Sequence, residues 1–113
     1  MRKGIAVDAW CSKNPGPGGY RGVDLETGKT VFSWSTDLTT NNLVEFVALV
    51  NGMKFIKEKG IGDAVWTDSK TAMSWVRNKK CKTTFDLERN IELKNKVDES
   101  IRYLYENLSL IHI

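Results

Sequence analysis

The sequence is poor in the residues from which metal clusters, disulfide frameworks and membrane spans are built. It contains one histidine and two cysteines, and Cys11 and Cys81 lie far apart with no CxxC spacing. A zinc site or a disulfide framework is therefore not expected, and a reduced, cytoplasmic setting fits the composition. No apolar run approaches the ~20 residues that a membrane helix needs, and the N-terminus lacks a signal-peptide pattern. We expect no association with membranes.

Proline is also scarce, and both prolines fall in one short loop. Pro15 and Pro17 stand among glycines within residues 11–19, directly after the first apolar run. Proline stiffens a turn, and glycine lets a ligand approach the backbone closely. The same composition is typical of a tight connection between strands, so the loop alone assigns no function.

Chain length and net charge indicate the number of domains and the kind of partner. The chain has 113 residues, which predicts a single domain, residues 1–113, with a core of its own. Its formal net charge of +3 is a mild indication of a polyanionic partner.

Hydrophobic periodicity predicts an α/β protein with a mixed sheet. Residues 4–10 are apolar on both faces, which is typical of a central strand covered on each side. An antiparallel meander of three strands is followed by alternating helices and strands, so a parallel strand pair is expected later in the chain. The predicted strands are residues 4–10, 20–25, 30–35, 63–67 and 108–113, and the predicted helices are residues 42–59, 70–79 and 87–107.

Three carboxylates stand at the ends of predicted elements. Each has an ordinary explanation: Asp8 ends a strand, Glu45 lies in the first turn of a helix where the dipole favours it, and Asp68 can cap the next helix with Ser69. If strands one and four are parallel neighbours, however, Asp8 and Asp68 meet at one edge of the sheet, and the crossing helix can bring Glu45 there.

Such a group of carboxylates would call for a cation. Two unit charges ~4–5 Å apart repel by about 4 kcal/mol at an effective dielectric near 20. Oxygen ligands without cysteine or histidine suit Mg²⁺ or Mn²⁺. Two such ions ~3.5–4 Å apart would activate a water and stabilise the leaving oxygen of a phosphodiester.

Four segments, in this order, resemble type 1 ribonuclease H, and most closely the compact bacterial ribonuclease HI proteins. They are Val7-Asp8-Ala9, the run from Asn14 to Tyr20, the run from Thr39 to Glu45, and Thr67-Asp68-Ser69-Lys70. The resemblance implies a ribonuclease H-like mixed five-stranded sheet, order 3-2-1-4-5, flanked by helices. It also implies hydrolysis of the RNA strand of RNA–DNA hybrids by a two-metal-ion mechanism, leaving 5′-phosphomonoesters.

The resemblance assigns roles to individual residues. Asp8, Glu45 and Asp68 match the catalytic carboxylates that bind two ions, Mg²⁺ or Mn²⁺. Lys70 stands where some members carry glutamine, and the basic cluster between Arg77 and Lys82 matches a region that grips the hybrid. The residues matched to hybrid binding are Cys11 (through its backbone), Asn14, Thr40, Asn41, Asn42 and Lys70.

The pattern breaks at the C-terminus. No residue matches the family's fourth carboxylate, and the final helix is missing. Asp98, Glu99 and Glu106 are better explained as the solvent face of the last predicted helix. Residues 108–113 also resemble a translated sequencing adaptor, which would imply a longer natural chain. Two alternatives therefore stay open: a weakly active or inactive hybrid-binding module, and a structural fragment that self-associates through its uncovered C-terminal region.

Overall fold

The fold is built on a four-stranded mixed sheet, seen in a computed structural model that describes residues 3–60 and 64–107. The strand order is β3-β2-β1-β4, with β1–β2 and β2–β3 antiparallel and β1–β4 parallel. This confirms the predicted order of the first four strands; the predicted fifth, residues 108–113, lies outside the described residues. The elements are β1 (Ile5–Cys11), β2 (Gly16–Asp24), β3 (Thr30–Thr39), α1 (Asn41–Lys59), β4 (Val65–Trp66), α2 (Lys70–Asn78), a 3₁₀ helix (Leu87–Arg89) and α3 (Ile91–Glu106).

Strand β2 starts earlier than its side-chain pattern predicts. The glycine-rich segment that looks like a loop pairs with β1, Gly18 opposite Cys11 and Gly19 opposite Trp10. A Cβ on Gly18 would lie 2.6 Å from the Trp10 carbonyl oxygen and 2.8 Å from Cγ2 of Thr39. Glycine is required because the neighbouring backbone and side chains leave no room for a side chain.

Helix α1 is the central element of the helical layer. Thr40 caps it by accepting a hydrogen bond from Leu43 N, and Gly60 ends it in the left-handed conformation at φ 64°. The spacing of Leu43, Phe46, Val47, Val50 and Met53 predicts an apolar stripe on this helix, and its first four members are buried while Met53 is half-buried. The N-terminal half of α1 is buried on other sides too, because the sheet, α2 and α3 all pack on it. The buried apolar residues of α1 are Leu43, Val44, Phe46, Val47, Ala48, Leu49 and Val50.

The helices described lie on one face of the sheet. A Cβ on Gly52 of α1 would come within 2.8 Å of Val65 and 3.1 Å of Val7, so α1 covers that face. Asp8 and Trp10 alternate with Val7 and Ala9 along β1 and so point to the opposite face of the sheet. Both are exposed, Trp10 to 47%. The prediction that residues 4–10 are covered on both sides is therefore wrong within the described residues. Asp8 remains in water and incurs no burial cost.

The last predicted helix is two elements. The 3₁₀ turn is separated from α3 by Asn90, whose side chain accepts from Leu93 N at 3.1 Å and so caps α3. The same side chain donates to Thr36 Oγ1 and to the Leu38 carbonyl oxygen, both at 2.7 Å. These bonds tie α3 to β3, and Asp98, Glu99 and Glu106 face solvent as predicted.

No helix within residues 3–60 and 64–107 is long and apolar enough to cross a membrane.

Candidate functional site

Three carboxylates from separate elements line one small concavity. Asp8 comes from β1, Glu45 from α1, and Asp68 from the segment after β4; with Thr67 and three apolar residues they line this shallow concavity. The parallel register explains the meeting: Ala6 pairs with Trp66, and Asp8 and Asp68 each follow two residues later. The predicted juxtaposition is therefore present, and it arises from the parallel pair and the crossing helix.

The concavity is open to water and negatively charged. Asp8 and Asp68 are exposed, and Glu45 is half-buried. Arg21 faces Asp8 across the β1–β2 pair. In the part of the chain that is described, however, the recorded ion pair is Lys94–Asp98 on α3, at 3.0 Å. No ion pair among these residues offsets the three carboxylates.

The donor chemistry of the concavity suits a hard divalent cation, since all three acids offer oxygen ligands. Yet among the described residues no group of three or more His, Cys, Asp or Glu side chains is arranged to hold a metal ion. The three acids are gathered at one place without forming a coordination sphere.

The ordinary explanations for two of the acids do not hold. The first turn of α1 contains no acidic residue, so the helix dipole does not account for Glu45. Instead, Asn41 Nδ2 donates to Glu45 Oε1 at 2.8 Å. The cap of α2 is Ser69, which accepts from Ala72 N at 3.0 Å, and Asp68 has no part in it.

A larger cleft of about 530 Å³ contains three of the residues predicted to bind substrate, Asn14, Thr40 and Asn42. Asn41 lies between them and Glu45, and its backbone N–H donates to Asn14 Oδ1 at 3.0 Å. The first turn of α1 thus borders the cleft, while the next turn carries Glu45 to the concavity. The remaining lining residues of the cleft are Pro15, Trp75, Lys82, Thr83, Thr84, Phe85, Asp86 and Arg89.

Like Asn41, the predicted substrate residues Cys11 and Lys70 line neither cavity. Lys70 is exposed at the start of α2 and is not among the lining residues described. The Cys11 sulfur lies 3.5 Å from the Thr39 carbonyl oxygen and 3.8 Å from that of Gly16. Burial raises the pKa of the Cys11 thiol, so this side chain is a neutral packing group that joins β1, β2 and β3.

The cleft also contains residues that sequence reasoning missed. Arg89 stacks over the Phe85 ring at 5.6 Å from its centroid, and Lys82 lies nearby. Lys82 belongs to the predicted basic cluster, whereas Phe85 was placed in the connection before the last predicted helix and Arg89 in the first turn of that helix. A sequence signal existed: an aromatic residue followed by an arginine in an otherwise polar segment.

Comparison of the sequence with known proteins finds a matching family model and curated relatives. The family model described as RNase H matches residues 2–113. Ribonuclease H of Rickettsia massiliae (strain Mtu5) is 36% identical, over 82% of this chain and 66% of that protein. This chain therefore spans just under two thirds of the length of that curated relative.

Solved structures show the same fold. LC11-RNase H1, isolated from compost, is 24% identical and superimposes with a TM-score of 0.59, covering 99% of this chain and 84% of that one. A second structure of LC11-RNase H1, in complex with an RNA/DNA hybrid, gives a TM-score of 0.51 at 24% identity over 88% of this chain and 75% of that one.

Proposed function

The chain belongs to the ribonuclease H family, and from this premise we propose that it hydrolyses the RNA strand of RNA–DNA hybrids with the help of divalent metal ions. The observation that carries the proposal is the meeting of Asp8, Glu45 and Asp68 at one concavity. The structural relative LC11-RNase H1 binds an RNA/DNA hybrid, which supports the substrate class.

The three acids are the residues that would hold Mg²⁺ or Mn²⁺, in two sites. When bound, two such ions supply activation of a water and stabilisation of the leaving oxygen. The protein contributes carboxylate oxygens on a rigid frame, since Asp8 is fixed by the central strand and Glu45 by a capped helix. The open, water-exposed position of Asp8 and Asp68 leaves room for a phosphodiester to approach.

The cleft beside the acids supplies the groups that would hold the hybrid. Asn14 and Asn42 offer amides, which can donate to and accept from base edges and 2′-hydroxyls without sequence preference. Lys82 and Arg89 would balance phosphate charge in the same cleft. Asn41 sits one helical turn before Glu45, so a duplex in the cleft would lie beside the carboxylates.

A second candidate is a hybrid-binding module with little or no activity. Among the described residues the acids do not form a metal-holding group, which favours this alternative. It predicts hybrid binding without turnover in either metal, whereas the nuclease proposal predicts turnover in at least one.

The decisive experiment follows cleavage of a labelled RNA–DNA hybrid in Mg²⁺ and in Mn²⁺. Wild type should cut the RNA strand, and Asp8→Asn should abolish cutting while the circular dichroism spectrum is kept. Asp98→Asn is the matched control, because Asp98 is an exposed aspartate on α3 remote in sequence from the acids; it should cut like wild type. Equal cleavage by Asp8→Asn and wild type would refute the proposal.

A further inference from the structure

A short chain of hydrogen bonds links the loop between β1 and β2 to Glu45. Asn14 Oδ1 accepts from the backbone N–H of Asn41 at 3.0 Å, and Asn41 Nδ2 donates to Glu45 Oε1 at 2.8 Å. Both distances are those of well-formed hydrogen bonds. The second bond has an ionised acceptor, which makes it the stronger of the two.

Helix geometry explains how one residue makes both contacts. Asn41 is the first residue of α1, so its backbone N–H has no partner within the helix, and Asn14 satisfies it from outside. Its side chain lies on the same helical face as residue 45, four positions later, which brings the amide to the carboxylate. Thr40 performs the capping, so Asn41 is not needed for that role.

The donor that holds Glu45 is a neutral amide. A lysine or arginine in its place would offset the carboxylate charge and compete with a cation, whereas an amide fixes the side chain and leaves its charge intact. A glutamate loses much rotamer freedom when it is fixed, and here part of that loss occurs before any ligand arrives. The second Nδ2 hydrogen and the Oδ1 of Asn41 remain for other partners.

We propose that Asn41 is a positioning residue that orients Glu45 for a divalent cation, and that Asn14 holds Asn41 in place for this task. This inference rests on the proposed function, because it assumes that Glu45 is a metal ligand. The family resemblance assigns Asn14 and Asn41 to hybrid binding only, and the inference adds that both also act on the metal site.

The test measures Mn²⁺ binding without hybrid, from the loss of the free-ion signal in electron paramagnetic resonance. Removing one hydrogen bond to a charged group in Asn41→Ala should raise the Mn²⁺ Kd about tenfold. Asn42→Ala is the matched control, since Asn42 lines the cleft but has no recorded bond to Glu45; its Kd should stay within about twofold. Asn14→Ala should give an intermediate rise.

Kinetics on the labelled hybrid supply a second readout. Asn41→Ala should lower kcat, because Glu45 is mispositioned, whereas Asn42→Ala should mainly raise KM. Melting curves establish that each variant folds. If Asn41→Ala does not fold, Asn41→Ser replaces it, because the serine hydroxyl is too short to reach Glu45.

The outcomes separate the two proposals. An unchanged or lower Kd in Asn41→Ala, or an equal rise in Asn42→Ala, overturns the positioning role; the nuclease proposal survives this if Asp8→Asn still abolishes cleavage. Mn²⁺ binding that Asp8→Asn leaves unchanged overturns both.

Discussion

Asn90 is the residue whose loss should most clearly test how α3 is held on the sheet. Its side chain caps α3 through Leu93 N and donates to Thr36 Oγ1 and the Leu38 carbonyl oxygen. It also directly follows Arg89, which lines the large cleft. Asn90→Ala removes all three hydrogen bonds at once.

The three hydrogen bonds set how much Asn90→Ala lowers the free energy of unfolding. A lost N-cap costs ~1 kcal/mol, and each further hydrogen bond contributes about 1 kcal/mol. Asn90 is half-buried, so water replaces part of the loss, and we expect Asn90→Ala to lower the free energy of unfolding by about 2–3 kcal/mol. For a domain of this size the melting temperature should fall by about 10 °C.

Two further variants sharpen the measurement by urea and thermal unfolding. Asn90→Ser keeps a capping hydroxyl but does not reach β3, so it should recover about 1 kcal/mol. Asn95→Ala, an exposed asparagine within α3, should change stability by no more than about 0.5 kcal/mol. The reasoning is refuted if Asn90→Ala and Asn95→Ala unfold at the same urea concentration.

Three other predictions concern alkaline pH, salt and self-association. Burial raises the pKa of Cys81 from 9.0 to about 12 and that of Tyr20 from 10.0 to about 12. The folded protein is therefore stabilised by these two neutral side chains fully below pH 9, and this stabilisation is lost as pH rises towards 12. The melting temperature should fall across that window, and by less in Cys81→Ala than in wild type, and a flat profile would contradict this. Lys82→Ala should weaken hybrid binding and reduce the slope of log K against log salt by about 1, whereas Lys29→Ala, in the β2–β3 turn, should leave the slope unchanged. Sedimentation should reveal self-association that Trp10→Ser reduces, because Trp10 is 47% exposed on the face of the sheet that the described helices leave uncovered; a monomer at all concentrations would count against it.

Local sequence signals were sufficient for much of the fold. Thr40 and Gly60 mark the ends of α1 because a capping hydroxyl and a left-handed glycine act within a few residues. The residues alone gave the parallel placement of strands one and four, and with it the meeting of Asp8 and Asp68, only as a condition, whereas the family resemblance implied the strand order that is observed. The roles of the acids, the single domain and the cytoplasmic setting stay predictions.

Other features depended on contacts that sequence spacing does not reveal. The start of β2 at Gly16 was missed because a glycine-rich segment lacks the side-chain alternation of a strand, although its backbone pairs normally. The break at Asn90 was missed because its side chain bonds to β3, a contact that spacing along the chain does not reveal. The helix dipole was the ordinary explanation for Glu45, whereas the side-chain partner of Glu45 is Asn41.

By itself, the sequence determined α1, α2, the meander and the family to which the four motifs point, because caps, turns and periodicity act over a few neighbouring residues. Only the tertiary structure decided that Asp8 is exposed, that the acids gather without forming a metal-holding group in the described part of the chain, and that Asn14 reaches Glu45 through Asn41. Burial and hydrogen bonding between residues from different elements depend on how those elements pack, and packing is a property of the whole chain.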